Sequence, residues 1–395
     1  MQRGMKKVLT VFGTRPEAIK MAPLVRALKE DSRIDCRVVV TAQHREMLDQ
    51  VLRVFRLIPD YDLDIMQAGQ TLFEITVRAL TGLQQIFLKE KPDLVLVHGD
   101  TSTTFIGALA AYYYQIPVGH VEAGLRSGNK YAPFPEEMNR RLTGVLGEIH
   151  FAPTKTAAEN LLREGHNLAQ IYITGNTVID ALLYTVEEDY QFLHPVLREI
   201  DFENQRVVLL TTHRRENWGE PLRETYRALN DLVKEFEDLV VVFPVHKNPL
   251  IQRAAAKELG DVSRIKLVEP LEYQTFINLM NKVDLVLTDS GGLQEEAPAL
   301  GKPVLVLRDN TERPEAVKAG TVKIVGTERA RVYGAARNLL TNKTAYQRMA
   351  QAVNPYGDGQ ASERIVKILH YLWGWSKEKP RGYSVDYALS RQKKI

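Results

Sequence analysis

The chain has 395 residues, 44% of them hydrophobic and 26% charged, which is ordinary for a globular protein. Its length predicts two domains rather than a single core. The net charge of +3, from 52 basic and 49 acidic residues, is too small to indicate a nucleic-acid or membrane-surface protein. The single cysteine, Cys36, excludes an intrachain disulfide, and the absence of a signal-peptide pattern or a long apolar run favours a reducing cytoplasm.

Short apolar strands alternate with amphipathic helices along the whole chain. Many strands are continuous runs of Val, Leu and Ile, as expected when helices cover both faces of a parallel sheet. The predicted strands are, in chain order, KVLTVFG, DCRVVVTA, PDLVLVHGD, IPVGHVE, EIHFAPT and IYITG, then RVVLLTTH, LVVVFPVH, IKLVEP, DLVLTD, KPVLVLRD and TVKIVG. This alternation predicts an α/β protein with doubly wound parallel sheets.

The strand pattern begins again in the second half of the chain. We expect a domain junction near Thr174–Thr177, between a Rossmann-like domain of residues 1–175 and a second one of residues 176–361. The second domain is predicted to open with a helix over 178–200, and another helix is expected at about 362–378. Because ligands bind beyond the carboxyl ends of parallel strands, we expect the site in a central cleft that the two domains face.

The segment VFGTRPEAIKMAPL predicts a strand that runs into a proline-initiated helix. Glu17 suits the positive end of the helix dipole, whereas Arg15 and Lys20 do not. The order Arg-Pro-Glu returns in NTERPEA, which contains Arg313. One such arginine is usually a solvated surface residue. Two of them in equivalent places of the two halves suggest a shared polyanion such as a diphosphate.

A second anion-binding candidate is the segment LVLTDSGGLQEEAPALG. Its strand is followed by Ser290, Gly291 and Gly292, and glycines allow close approach of a phosphate to free N–H groups at a helix start. Glu296 lies one turn further on, where it can accept hydrogen bonds from ribose hydroxyls. A plain glycine-rich turn with Ser290 as the helix N-cap is the alternative. The first strand lacks a GxGxxG, which argues against a nicotinamide dehydrogenase.

Acidic residues and one histidine follow other predicted strands and helix starts. Asp100 ends a strand, Glu122 lies in the loop after the next one, and Glu136 and Glu137 share a proline-initiated helix start. His213 comes directly after the first strand of the second half. Together these residues are typical of general acid–base chemistry. Separately, Asp100 can be a helix cap, the glutamates can serve the helix dipole, and the histidine can be structural.

These segments together resemble the non-hydrolysing UDP-N-acetylglucosamine 2-epimerases. The motifs that carry the resemblance span about residues 5–335 and are GTRPEAIKMAPL, TAQHREMLDQ, VHGDTSTT, VEAGLRS, PFPEEMNRR, TTHRREN, PVHKNP and TDSGGLQEEAP…GKPVLVLRDNTERPEA. The resemblance implies a glycosyltransferase-B architecture, the C-terminal helix packed back on the first domain, and a homodimer. The resemblance implies nothing about the polar segment 379–395.

The resemblance also implies an activity and the residues that carry it. UDP-GlcNAc and UDP-ManNAc would be interconverted through elimination of UDP to 2-acetamidoglucal and its re-addition, supplying ManNAc units for cell-envelope polysaccharide. The implied catalytic residues are Asp100, Glu122, Glu136 and His213. The implied nucleotide-sugar ligands are Arg15, Lys20, Phe276, Ser290, Gly291, Gly292, Glu296 and Arg313. A second UDP-GlcNAc, acting as activator, would contact Gln43, His44, Arg214 and His246, with Glu136 as a shared residue.

Several questions stay open at this level. The sequence does not distinguish Glu136 from Glu137, nor the base from the acid among the carboxylates. The alternatives to an epimerase of this kind are a UDP-sugar glycosyltransferase of the same fold, a hydrolysing epimerase, and a non-catalytic nucleotide-sugar sensor. No cofactor and no metal are expected, because the nine histidines show no paired ligand spacing.

Overall fold

The computed structural model describes residues 4–42, 45–67 and 69–385. The strands are β1 (Lys6–Phe12), β2 (Ile34–Val40), β3 (Tyr61–Asp62), β4 (Leu94–His98), β5 (Val118–Val121), β6 (Ile149–Ala152), β7 (Ile171–Ile173), β8 (Arg206–Thr211), β9 (Leu239–Pro244), β10 (Ile265–Val268), β11 (Leu285–Thr288), β12 (Val304–Val306) and β13 (Val322–Ile324). The helices are α1 (Arg15–Glu30), α2 (Arg45–Val54), α3 (Leu72–Glu90), α4 (Ser102–Tyr113), α5 (Glu136–Leu146), α6 (Lys155–Arg163), α7 (Thr177–Thr185), α8 (Pro195–Arg198), α9 (Glu220–Glu235), α10 (Pro249–Leu259), α11 (Tyr273–Lys282), α12 (Leu293–Glu296), α13 (Pro314–Ala319), α14 (Arg329–Thr341), α15 (Lys343–Ala350) and α16 (Ala361–Leu372).

The described residues divide into two compact units, each built on one parallel sheet. The first unit consists of two segments, one that ends at Tyr184 and one that begins at Tyr356. The second unit is Thr185–Pro355. The first sheet has the order β3-β2-β1-β4-β5-β6-β7 and the second has the order β10-β9-β8-β11-β12-β13. The predicted fold of two doubly wound parallel sheets is confirmed.

Apolar runs form the central strands because helices cover both of their faces. All five residues of β4 are buried, and Val95 and Val97 pack with Leu9 and Val11 of β1 against residues of α3 and α4. The sequence predicted six strands in this half, and the seventh, β3, was missed. With only two residues at the sheet edge, β3 is too short to leave an apolar pattern.

Each sheet has one point at which the strand order reverses. In the first unit this point lies between β1 and β4, which pair directly through Val8–Leu94 to Val11–Val97. In the second unit it lies between β8 and β11, which pair from Val208–Leu285 to Thr211–Thr288. Ligands of open α/β sheets bind beyond the carboxyl ends of the strands at such points. The segments that follow these four strands are therefore the places to examine for function.

The predicted helix over 178–200 was wrong, since α7 ends at Thr185 and α8 begins only at Pro195. The side chain of Asn278 donates to the carbonyl of Thr185 and accepts from the N–H of Glu187. These bonds occupy backbone groups that a continuous helix would use itself. The proline then starts α8 at a position where its missing N–H costs nothing.

The helix predicted for 362–378 ends earlier, at Leu372. Gly374 has a φ of +65°, and the N–H groups of Trp375 and Ser376 donate to the carbonyl of His370, which closes the helix end. Within the first unit, α16 packs against α1. Part of the predicted polar tail is also packed: Tyr383 is 4% exposed, and its N–H donates to the carbonyl of Ile173.

Three neighbouring strands of the first sheet, β4, β5 and β6, each carry a buried histidine. His120 on β5 is paired in register with His150 on β6, and both rings are buried. Burial lowers the pKa of His98 to about 4 and that of His120 and His150 to about 3. All three rings are therefore neutral at pH 7, and protonating them requires energy that the unfolded chain does not have to supply.

Replacing His150 with Leu is expected to make the first unit less sensitive to acid. The folded pKa of about 3 lies below the unfolded value of 6.5, so the unfolded chain binds more protons and stability is lost as pH falls through that window. Between pH 7.5 and 5.5 the wild-type free energy of unfolding should fall by about 1.4 kcal/mol more than that of the variant. Hydrogen exchange of the β5 and β6 amides measures this difference, and equal pH slopes would contradict it.

Candidate active site

A buried carboxylate builds the turn at the switch point of the first sheet. Glu17 is 2% exposed, and its Oε2 atom accepts from the N–H groups of Gly13 and Thr14 at 3.0 and 2.8 Å. Its Oε1 atom accepts from the hydroxyls of Thr101 and Thr104 at 2.7 and 3.1 Å. One side chain thus joins the start of α1 to the start of α4. Burial raises the pKa of Glu17 above its ordinary value.

The role of Glu17 went beyond what the sequence predicted, which was only a favourable charge at a helix start. The capping box formed by Thr14 and Glu17 was a signal that could have found it. The hydrogen bonds to Thr101 and Thr104 could not be found locally, because they join segments more than 80 residues apart.

The two cations predicted for this turn have different surroundings. Arg15 is the first residue of α1 and is half-buried, and its guanidinium has no hydrogen-bond or ion-pair partner in the described part of the chain. Lys20 lies one turn further along α1 and forms an ion pair with Glu122. Of these two cations, Arg15 is therefore the one whose charged group has no partner among the described residues and can bind an anion at this helix start.

Glu122 is held in an unusual backbone conformation directly after β5. Its φ of +62° lies in the left-handed region, which costs a non-glycine residue energy and persists only where the surrounding structure holds it. The carboxylate is 9% exposed, and besides the ion pair with Lys20 it lies 3.6 Å from Nε2 of His98. With its pKa lowered to about 4 by burial, His98 contributes a neutral ring here rather than a charge.

Asp100 lies beside Glu122, after β4. Burial raises its pKa, the nearby Arg140 of α5 lowers it, and the negative charge of Glu122 raises it, with a net rise above the ordinary value. Its carboxylate forms an ion pair with Arg140. The helix-cap alternative does not hold, because Thr101 is the N-cap of α4 and accepts from the N–H of Thr104. The structure thus brings two carboxylates with different partners together at one strand edge.

Glu136 and Glu137 are adjacent in sequence but have different environments. Glu137 is fully buried and accepts from the N–H groups of Ser127 and Gly128 at 2.9 and 3.3 Å and from Nε of Arg141 at 3.1 Å. Burial acts to raise the pKa of Glu137, but the hydrogen bonds from Ser127 and Gly128 and the positive charge of Arg140 lower it overall. Glu136 is half-buried, and within the described ranges its carboxylate has no hydrogen-bond or ion-pair partner.

In the second unit, His213 follows β8 and meets a buried carboxylate. Nδ1 of His213 lies 3.0 Å from Oδ1 of Asp289, which follows β11. The His213 ring also stacks on His246, with ring centroids 6.1 Å apart. Nδ1 of His246 accepts from the N–H of Asn248 at 3.1 Å. No role could be assigned to Asp289 from the sequence, because Asp289 comes close to His213 only when β8 pairs with β11.

The glycine-rich segment after β11 leads into the short helix α12. Gly292, not Ser290, is the N-cap of that helix, and the N–H of Ser290 donates to the hydroxyl of Thr288 at 2.9 Å. A Cβ atom at Gly291 would come within 3.3 Å of the carboxylate of Glu312. A Cβ atom at Gly292 would likewise come within 3.3 Å of Glu296. Both glycines therefore keep space open beside polar side chains.

Arg313, in the second Arg-Pro-Glu segment, is the N-cap residue of α13. Its guanidinium forms an ion pair with Glu295, whose side chain is 5% exposed. Arg214 is paired with Glu312, at 3.4 Å between a guanidinium nitrogen and Oε2. Phe276 is half-buried on α11, which begins shortly after β10.

A cavity of about 570 Å³ opens at the carboxyl ends of β9 and β10. Among its lining residues are Val245 and Lys247, which flank His246, and Glu269 and Pro270, which follow β10. Of the predicted activator ligands, Arg214 follows β8 and His246 follows β9, so both lie beyond the carboxyl ends of strands in the second sheet. Gln43 and His44 lie outside the described residues.

In the residues that the structure describes, no group of three or more His, Cys, Asp or Glu side chains has an arrangement that could hold a metal ion. Among the helices described, none combines the length and the apolar character that crossing a membrane requires.

The family model for UDP-N-acetylglucosamine 2-epimerase matches residues 26–370 of the chain. The chain belongs to this family. The epimerase of Bacillus subtilis (strain 168) is 57% identical over 378 residues, which are 96% of this chain and 98% of the relative. The resemblance predicted from the motifs is confirmed.

Solved structures of 2-epimerases agree with the fold. The enzyme from Neisseria meningitidis bound to UDP-GlcNAc is 49% identical, with a TM-score of 0.81 and coverage of 92% of this chain and 100% of that one. The enzyme from Methanocaldococcus jannaschii in complex with UDP-GlcNAc and UDP is 36% identical, with a TM-score of 0.72 and coverage of 92% and 99%.

Proposed function

We propose that the protein interconverts UDP-GlcNAc and UDP-ManNAc by eliminating UDP and adding it back. The observation that carries this proposal is the carboxylate pair Asp100 and Glu122, which come just after the directly paired strands β4 and β5, beside the switch point of the first sheet. The C2 proton of the sugar has no neighbouring carbonyl to acidify it. Its removal must therefore be coupled to departure of the diphosphate from C1, which forms a C1–C2 double bond.

The two carboxylates divide the acid and base roles. The ion pair with Lys20 favours the ionised form of Glu122, which makes it the base that takes the C2 proton from one face. The pKa of Asp100 is raised above its ordinary value by burial and by the charge of Glu122, although Arg140 opposes this, and we therefore assign Asp100 as the acid that delivers a proton to the other face of the glycal. The reverse reaction exchanges the two roles. Glu136, whose carboxylate has no partner among the described residues, is the third catalytic group.

The leaving diphosphate needs cations and a proton source. We assign these roles to Arg15, to the fixed guanidinium of Arg313 and to His213, and we place the phosphates against the backbone of the segment after β11. The members of that nucleotide-sugar set are Arg15, Lys20, Phe276, Ser290, Gly291, Gly292, Glu296 and Arg313. The ion pair between Lys20 and Glu122 supports including Lys20 in this set, because Glu122 is the proposed base.

Replacing Arg15 with Ala is expected to slow elimination about 10-fold to 150-fold and to leave folding nearly unchanged. A charge-assisted hydrogen bond to the leaving group contributes about 1.5–3 kcal/mol. No internal partner among the described residues loses a bond when the guanidinium is removed. Steady-state kinetics and a thermal melt check both halves of the prediction. An unchanged kcat would show that Arg15 is an ordinary surface residue that does not contribute to elimination.

Incubating the purified protein with UDP-GlcNAc in D2O tests the proposed function itself. NMR should show UDP-ManNAc together with deuterium at C2 of both sugars, because each re-addition takes a deuteron from an acid that has exchanged with the solvent. Release of free sugar and UDP would indicate a hydrolysing epimerase. An unchanged substrate would indicate a glycosyltransferase that lacks its acceptor, or a nucleotide-sugar sensor.

The proposal also covers activation by a second ligand, the oligomeric state, the cellular location and the pathway that uses the product. We propose that a second UDP-GlcNAc activates the enzyme at a site that includes Gln43, His44, Arg214 and His246. Full-rate turnover of UDP-ManNAc without added UDP-GlcNAc would contradict this. A homodimer, a cytoplasmic location and supply of ManNAc to cell-envelope polysaccharide complete the proposal, and analytical ultracentrifugation tests the dimer.

A further inference from the structure

Asp289 is a fully buried carboxylate that gathers hydrogen bonds from one short segment. Besides its contact with Nδ1 of His213, it accepts from the backbone N–H groups of His213 and Arg214 at 3.0 and 2.9 Å. The side-chain amide of Asn217 donates to it at 3.2 Å. Every one of these donors belongs to the segment that follows β8, so Asp289 fixes both the backbone and the ring of His213.

The charge state of this carboxylate dictates the tautomer of the ring. Burial alone would raise the pKa of Asp289, but the hydrogen bonds from His213 and Arg214 lower it overall, so the group is ionised. An ionised carboxylate has no proton to donate, and the neighbouring Nδ1 atom must therefore carry the hydrogen. In the neutral ring, the lone pair is then on Nε2.

We propose that Asp289 is a positioning residue that holds His213 in the Nδ1–H tautomer and stabilises its imidazolium form. As the C1–O bond breaks and UDP leaves with the electron pair, Nε2–H of the imidazolium donates its proton to a diphosphate oxygen. On re-addition, Nε2 takes the proton back. The inference rests on the proton-donor role proposed above for His213.

The tautomer can be measured in the unmodified protein. In a 15N-histidine-labelled sample, the His213 signals are identified by their loss in His213→Asn. We expect Nδ1 to be protonated and Nε2 to be unprotonated when the ring is neutral. An Nε2–H tautomer in the wild-type protein would overturn the inference, and this result does not depend on any Asp289 variant folding.

Asp289→Asn tests the consequence for turnover. We expect kcat to fall about 30-fold with KM for UDP-GlcNAc within about twofold, and the His213 tautomer to shift toward Nε2–H. Adding Asp289→Asn to His213→Asn should cost nothing further, because the second residue acts only through the first. An additional loss in the double variant would show that Asp289 does not act through His213.

Asn217→Ala is the matched control. It removes another donor to the same carboxylate, together with a bond to the carbonyl of Leu307, but leaves the contact between Asp289 and His213. We expect a fall in kcat of less than about threefold. Equal losses in Asn217→Ala and Asp289→Asn would show that Asp289 merely anchors the loop. If His213→Asn itself turns over normally, the proposed role of His213 fails, whereas an inactive His213→Asn beside an active Asp289→Asn overturns only the role of Asp289.

Discussion

Replacing Glu122 with Gln is expected to lower kcat for epimerisation about 1000-fold. The amide keeps the size of the side chain and can remain beside Lys20, but it cannot take a proton from C2 of the sugar. General-base catalysis contributes about 10²–10⁴-fold. In the proposed mechanism no other carboxylate can replace Glu122 as the base for the C2 proton. Conversion of UDP-GlcNAc to UDP-ManNAc in D2O, followed by NMR, measures the loss together with the loss of C2 exchange.

The control for this variant is Glu164→Gln in the same unit. Glu164 pairs with Arg126 at 2.6 Å and lies after α6, away from the strand edge that holds Asp100 and Glu122. It should retain wild-type kcat. UDP affinity of Glu122→Gln, measured by calorimetry, should also stay within about twofold, since the proposed diphosphate ligands are unchanged. A Glu122→Gln enzyme that keeps more than a tenth of wild-type kcat would exclude Glu122 as the base.

Much of the fold was predictable because the central strands are buried on both faces. Runs such as Leu94–His98 have to be apolar throughout, and this leaves a pattern that needs no tertiary information. The failures came where tertiary contacts decide the outcome. The break between α7 and α8 depends on Asn278, which lies 93 residues from Thr185, and Tyr383 is buried through contacts with distant residues that include Ile173 and Arg364.

The candidate site divides in the same way. Asp100, Glu122 and His213 were found because each closely follows a strand of a parallel sheet. Asp100 and Glu122 follow the paired strands β4 and β5 of the first sheet, and His213 follows β8 of the second. Glu17 and Asp289 were not found. Both are buried carboxylates whose partners come from distant segments, so their roles exist only once the strands have paired. The catalytic assignments themselves stay predictions.

The adjacent glutamates of α5 should separate cleanly when each is replaced with Gln. Glu136→Gln is expected to lower kcat about 100-fold and to change the free energy of unfolding by less than about 0.5 kcal/mol, because its carboxylate has no partner among the described residues. Glu137→Gln should destabilise the first unit by about 2–3 kcal/mol, because one of the two acceptor oxygens becomes an NH2 group that faces either the N–H of Ser127 or the donors of Gly128 and Arg141.

The two variants control for each other, since they make the same chemical change at neighbouring positions of one helix. Kinetics at a temperature where both remain folded isolates the catalytic effect, and hydrogen exchange of the α5 amides isolates the structural one. If Glu137→Gln loses turnover while Glu136→Gln does not, the catalytic carboxylate is Glu137. A carboxylate with three hydrogen-bond donors and a lowered pKa would be a weak base, and for this reason the structure favours Glu136.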